Sequence, residues 1–237
     1  MTDGAGERAL PGGAILCDLP GAGRALFTSR ESGNLSTARG DDRQHGLPAR
    51  ERLCDELGLR WLCASRQVHG TVVARVRAQR GVRGQALAVD ADGHATSVRE
   101  LGMMVLVADC LPVALGSGRA VAMLHAGWRG LAAGVLEEGV RAMHELGGVG
   151  DEMVAVIGPG AGVCCYEVGS EVHAAFGGAH GEGRRIDLRS IARERLLVAG
   201  VAVVHDVEVC TICDERFFSH RREGLRSGRQ AGVAWLS

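Results

Sequence analysis

Two histidines and one cysteine sit where this chain could do chemistry. His69 in QVHG, Cys110 in VADC and His125 in LHAG each end an apolar, strand-like run beside small or turn residues. Strand ends that open into loops present side chains from a rigid scaffold. Two imidazoles and a thiolate suit zinc, and three protein ligands with a fourth position open is the catalytic rather than the closed structural pattern. The spacing is long-range and matches no short metal motif, so a buried thiol and two hydrogen-bonded histidines remain the competing reading. Asp109, immediately before Cys110, can orient a ligand imidazole or contact a substrate hydroxyl; it is equally a strand-ending turn residue.

Three further segments carry candidate groups. IGPGAGVCCYEVG (157–169) places Gly158, Gly160 and Gly162 between a strand and a helix. Converging backbone N–H groups there can bind an anion, while the plainer reading is a tight turn. Cys210-Thr-Ile-Cys213 is one CxxC. A structural zinc site needs a second pair, and the adjacent Cys164 and Cys165 lack that spacing, so this pair reads as packing. ERFFSHRREG joins an apolar pair to His220, Arg221, Arg222 and Glu223. Arg with His can hold a phosphate or a carboxylate, although such a run is commonly a solvated turn.

Composition narrows the chemistry. All 27 basic residues are Arg and none is Lys. Schiff-base catalysis, pyridoxal phosphate anchoring and the P-loop and kinase lysines are therefore excluded. Anions fall to Arg, His, backbone N–H groups or a metal. The 9 histidines include no His-x-His pair, against a trinuclear copper cluster, and no GxSxG elbow is present. A net charge of −1 leaves no footprint for nucleic acid or an anionic membrane. The opening MTDGAGERALPGG lacks the pattern of a signal peptide, and the longest apolar stretch, 101–116, is interrupted by Asp109 and too short to span a bilayer. These features predict a cytoplasmic protein with reduced thiols, whose 8 Cys serve packing, metal or catalysis.

The elements that must position these groups follow from periodicity. A chain of 237 residues, 46% hydrophobic, reads as one domain over 1–237 with residues 1–12 loose. Residues 48–57 read as a helix with Pro48 in its first turn and Gly58 just past its end. Strands are expected around RQVHG, over Met103–Ala108, Val113–Leu115 and Arg119–Leu124. A single helix is expected from Trp128, with Leu131, Val135, Leu136, Val140 and Met143 on one face, stopping at Gly147. Val154–Ile157 and Val201–Val209 read as strands. Glu167–Phe176 and Arg189–Ala199 read as helices, the second capped by Asp187. The mixture without a strict βαβ repeat points to an α+β mixed-sheet sandwich.

Five segments, in order, resemble the YfiH family, also described as laccase-domain or multicopper polyphenol oxidase-like proteins and as purine nucleoside phosphorylases. They are RQVHG (66–70), VADCLPV (107–113), HAGWRG (125–130), IGPGAGVCCYEVG (157–169) and CTICDERFFSHRREG (210–224), followed by GRQAGVAWL. The resemblance covers about residues 24–236. It implies an αββα layered sandwich shared with the deamidase domain of cytotoxic necrotizing factor. It implies zinc on His69, Cys110 and His125, with copper as an adventitious or alternative metal. It also implies phosphate-dependent cleavage of adenosine, inosine, guanosine and methylthioadenosine, with deamination of adenosine in addition. Cys110, His125 and Arg222 are then the catalytic candidates; Arg30 in FTSR, Gln67, Asp109, Arg129 and His220 are the substrate-binding ones. One departure is local: after FTSR the family usually runs through a Gly-Gly turn, a short loop and Ser-Leu-Asn-Leu, where this chain has ESGNLSTARGDD. If the missing loop lines the cleft, the cleft is more open here. Two other readings stay on the table. Cys110 can be a thiol nucleophile with His125 as base, an amidase or peptidoglycan-editing hydrolase, or the chain can be a non-enzymatic metal-binding partner.

Overall fold

Two mixed β-sheets lie face to face, each covered on its outer side by helix. The computed structural model describes residues 6–38, 40–78, 86–178 and 181–237. The first sheet runs in the order Arg8–Ala9, Ile15–Asp18, Gly23–Phe27, Gln230–Leu236, Leu101–Val107, Trp61–Arg66, Ala86–Asp90. Its first five strands are antiparallel neighbours, and the last two join in parallel. The second sheet runs Val203–Asp206, Val154–Ile157, Leu111–Gly116, Val121–Ala126, Gly93–Thr96, Val73–Arg75, with both edge strands parallel to their neighbours. Within the N-terminal stretch expected to be loose, Arg8–Ala9 pairs with Ile15–Asp18, and residues 1–5 lie outside the described ones.

Three apolar layers follow from the alternation of side chains along each strand. In the strand Gln230–Leu236, Ala234 and Leu236 enter the layer between the sheets, while Ala231, Val233 and Trp235 face the helix Gly40–Glu56. Met123, Val121 and Ala114 of the second sheet meet Met103, Val105 and Phe27 of the first. On the opposite face of the second sheet, Val113, Leu115 and Leu124 pack under the helices Val135–Glu145 and Leu188–Val198 through Leu136, Val140, Ile191 and Leu196. The result is the expected αββα order. Each such buried aliphatic side chain contributes about 1.5–3 kcal/mol relative to exposure.

Three helices depart from the periodic reading, and the strand expected over Val201–Val209 is confined to Val203–Asp206. The helix beginning at Trp128 is two helices, Trp128–Ala133 and Val135–Glu145, broken at Gly134 with φ 104°. The left-handed geometry is open to glycine without strain. Arg195 reaches across from its own helix and donates to the carbonyls of Leu131 and Ala132, satisfying the end of the first piece. The early helix starts at Gly40, with Pro48 inside it, rather than at Pro48. Gly46 sits against the Ser36 carbonyl, where a side chain has no room, so tertiary packing overrides poor propensity. The helix expected over 167–176 shortens to Ser170–Ala175, because residues 162–168 form a turn held by Tyr166 N–H to the Gly162 carbonyl and Val168 N–H to that of Arg184. Asp187 caps its helix as expected, accepting from the N–H groups of Arg189 and Ser190.

Gly158 makes the fold testable. A Cβ there would press into two ring carbons of Phe27, which is buried and cannot swing away. Gly158→Ala should destabilise by about 1–3 kcal/mol, the usual cost of overpacking. Combined with Phe27→Leu, the loss should be less than the sum of the two single losses, as measured by denaturant unfolding. Additive losses would show that the ring and residue 158 do not compete for space.

Candidate metal centre and its cleft

The two sheets bring the three separated donors together. His69 lies in the loop after Trp61–Arg66, Cys110 in the tight turn between Leu101–Val107 and Leu111–Gly116, and His125 near the end of Val121–Ala126. The ligand atoms of all three lie within 4.8 Å of one another, with Cys110 Sγ 3.9 Å from His69 Nε2. The two imidazoles stand edge to face with centroids 4.8 Å apart. A tetrahedral zinc with ordinary Zn–N and Zn–S bonds spaces N and S by about 3.5 Å, so this set needs only small shifts to hold one. Gly127 leaves the room: a Cβ there would meet His69 Cδ2 at 2.7 Å and Cys110 Sγ at 3.1 Å.

One carboxylate organises the set, and sequence reading missed it. Asp92 is fully buried, and it accepts from the backbone N–H groups of Val68, His69 and Gly70 at 3.1, 2.9 and 2.8 Å. The same carboxylate lies 2.7 Å from His125 Nδ1. It fixes the His69 loop, whose His69 has φ 59°, and leaves His125 Nε2 as the atom available to a metal. Within VDADGH the signal is faint: an acid at the start of a strand, two residues before His94.

Charge among these donors is displaced accordingly. Burial raises the Asp92 pKa, but the bonds from His125, Gly70 and Val68 outweigh it and hold the carboxyl below its usual range. Burial also raises the Cys110 thiol, yet the flanking imidazoles of His125 and His69 bring it down to about 6. His125 is pushed down by burial and up more strongly by Cys110 and Asp92, to about 9. Between those values the pair is a thiolate beside an imidazolium.

The donors open into a cleft of about 640 Å³, an ordinary size for a small-molecule site. His69, Cys110, His125, Gln67 and His220 line it, joined by Arg50, Arg66 and Arg229 and by Ser36–Ala38 of the shortened N-terminal segment. Gln67 spends its amide on the backbone of Leu106, as donor and acceptor at 2.8 Å. Three expected substrate contacts, Asp109, Arg30 and Arg129, and the catalytic candidate Arg222 lie off this lining. Asp109 accepts from Thr211 Oγ1 and from Arg221 N–H, both at 2.7 Å, so the imidazole-orienting acid is Asp92 rather than Asp109. Arg222 donates to the carbonyls of Thr211, Ile212 and Phe217 and to Glu223. Arg30 pairs with Glu223, donates to the Phe217 and Glu215 carbonyls, and covers the Phe218 ring. Arg129 stacks over Trp128.

Two other sequence readings resolve. The glycine turn is a backbone connector: the N–H groups of Gly158, Gly160 and Ala161 donate to the carbonyls of Pro112, Val209 and Asp109. The CxxC does have a second pair after all. Cys164 and Cys165 meet Cys210 and Cys213 with sulfurs within 4.8 Å, a proximity that linear spacing concealed.

Comparison with known proteins agrees with the fold and with the family resemblance. Residues 21–237 match the family model described as multi-copper polyphenol oxidoreductase laccase. A purine nucleoside phosphorylase of Xylella fastidiosa is 40% identical over 94% of this chain and 91% of its own. The adenosine deaminase RL5, from an unknown prokaryote, is 36% identical over 83% of this chain and 84% of its own. Crystal structures of a Bacillus licheniformis hypothetical protein YfiH and of YlmD from Geobacillus stearothermophilus superpose with a TM-score of 0.86 each. They cover 98% and 97% of this chain, and 99% and 98% of their own, at 26% and 27% identity. A chain matched over nearly its whole length in sequence and in fold belongs to the YfiH family.

Proposed function

We propose that this chain is a purine nucleoside phosphorylase that carries zinc on His69, Cys110 and His125 and takes inorganic phosphate as co-substrate. Adenosine, inosine, guanosine and methylthioadenosine are its substrates, with deamination of adenosine as a second activity. The observation that carries the reading is the cleft itself: a metal-ready His/Cys set, oriented by a buried acid, beside three arginines. The names of the relatives supply the reaction class. Zinc, when bound, supplies Lewis-acid polarisation of an oxygen, of phosphate or of water. Copper, which outranks zinc in affinity for such donors, enters adventitiously.

The chain's own groups do the rest. Phosphorolysis holds phosphate beneath C1′ of the ribose while positive charge develops there and the purine leaves with a proton. Arg229 and Arg50, on the cleft lining, oppose the charge of the phosphate while Arg229 Nη1 is held by the Ser227 and Gly228 carbonyls and Arg50 Nε by that of Leu35, and the Ser36 and Thr37 side chains offer it hydroxyls. His220, whose Nδ1 is 2.9 Å from the Gly224 carbonyl, lines the cleft as the group to protonate the departing base. Arg222 and Arg30 act at one remove, by fixing the loop that ends in Ser219 and His220.

A second reading is favoured by one specific observation. Asp92, His125 and Cys110 are arranged as orienting acid, base and ionised thiol, the order of a cysteine hydrolase. Removal of metal separates the two: a thiol amidase gains activity on chelation and loses it to alkylation, whereas the metal-dependent phosphorylase is silenced by chelation.

Cys110→Ala should purify without metal at the His/Cys set and lose phosphorolysis, as read by elemental analysis and by chromatography of released base. Metal uptake must displace the His125 proton, so affinity should climb with pH up to about 9 and level beyond, and climb more steeply below about 6, where Cys110 also holds a proton. Chelator competition across that window measures it, and Asp92→Asn should weaken binding by about 10- to 100-fold. Base release from adenosine should require phosphate. Arg229→Ala should slow it by roughly 30- to 1,000-fold while sparing deamination. Arg222→Ala should instead depress both activities together and lower the unfolding midpoint, because it lies off the cleft lining and its guanidinium ties the Thr211, Ile212 and Phe217 carbonyls together.

A further inference from the structure

Four of the eight cysteines converge away from the cleft. Cys164 and Cys165 come from the turn after the glycine connector, and Cys210 and Cys213 from the turn after Val203–Asp206. Their sulfurs all lie within 4.8 Å of one another, Cys165 and Cys213 at 3.0 Å and Cys164 and Cys213 at 3.5 Å. Zn–S bonds of about 2.3 Å in a tetrahedron place sulfurs about 3.8 Å apart. The group is therefore already near the spacing of a four-thiolate site.

Two independent features point the same way. The Gly162 N–H donates to Cys210 Sγ at 3.2 Å, and the backbone N–H groups of Ile212 and Cys213 also turn toward that sulfur. Backbone donors on a sulfur stabilise thiolate, the form that binds metal. Gly162 also packs tightly on the group: a Cβ there would meet Cys210 Cβ at 3.1 Å and Cys164 Sγ at 3.3 Å. The turn thus lies close against the CxxC.

We propose that Cys164, Cys165, Cys210 and Cys213 bind a second zinc ion, a closed structural site distinct from the His69–Cys110–His125 centre. Four thiolates leave no open position for substrate, so this ion staples rather than reacts. What it staples is the support of the C-terminal motif. Gly160 bridges to Cys210, Thr211 N–H donates to the Gly160 carbonyl, and Thr211 Oγ1 holds Asp109. The carbonyls of Thr211 and Ile212 in turn receive Arg222. The assignment does not depend on the nucleoside reading.

Metal counting tests it. The wild-type chain, purified with zinc in all buffers, should carry about two zinc ions, and Cys110→Ala about one. Cys213→Ser, at an exposed position, should also carry about one, with the His/Cys ion retained. Cobalt loaded into Cys110→Ala should give the intense thiolate-to-metal absorption of a sulfur-rich tetrahedral site, which Cys164→Ser/Cys213→Ser loses. The cobalt spectrum of a folded Cys110→Ala chain keeps the test decisive even if the serine variants fold poorly. One zinc in the wild type, abolished by Cys110→Ala and unchanged by Cys213→Ser, would overturn the proposal. So would two thiols missing from the unfolded, metal-stripped chain, which would make the cluster a disulfide, or iron in place of zinc.

Discussion

The Asp92 carboxylate is the interaction on which the centre depends. It is buried, and burying an anion is costly unless its lone pairs are filled. Here they are filled by three consecutive N–H groups of the Val68–Gly70 loop and by the imidazole of His125. The same contacts that make the buried charge tolerable place two donors of the His/Cys set. The loop cannot drift without uncovering the carboxylate, and the imidazole cannot flip without losing its partner. Position of the donors is thus tied to folding of the second sheet, whose strand Gly93–Thr96 begins beside Asp92.

A parallel device holds the far side of the cleft. Asp109, with φ 88°, sends its two oxygens to Thr211 and Arg221. Arg222 and Arg30 converge on Glu223 and on the Phe217 carbonyl. The C-terminal motif is in this way a rigid bracket that presents His220, and its arginines are bracket members. An exposed RRE run usually signals a solvated turn. In this chain the guanidinium planes are instead folded back onto carbonyls, which needs the fork geometry that Arg has and Lys lacks.

The sequence is most informative where local rules decide. The Asp187 cap, the central strands and the apolar face ending at Met143 are all visible in residue types. The strand ends that carry His69, Cys110 and His125 are visible for the same reason. The order of the strands is not, because Leu101–Val107 and Gln230–Leu236 are buried on both faces and show a continuous apolar run rather than alternation. The break at Gly134 depends on Arg195 from another helix, the early start of Gly40–Glu56 on packing at Ser36, and the role of Asp92 on a loop 22 to 24 residues away. Long-range partners leave little trace in a single sequence. The family motifs carry His69, Cys110 and His125 into one cleft, but a motif says nothing of which way its arginines face.

The strand Gln230–Leu236 lies in the middle of the first sheet, hydrogen-bonded on one side to Gly23–Phe27 and on the other to Leu101–Val107, and Arg229 at its threshold lines the cleft. During synthesis the ribosome delivers these residues after both neighbours. Until then two strands wait with unpaired edges, a state open to wrong pairing with other chains. Arg229 is therefore held in the cleft lining only once Gln230–Leu236 has slotted between its two neighbours. Translation order thus becomes assembly order: this side of the pocket is set by the strand that fills the gap in the sheet.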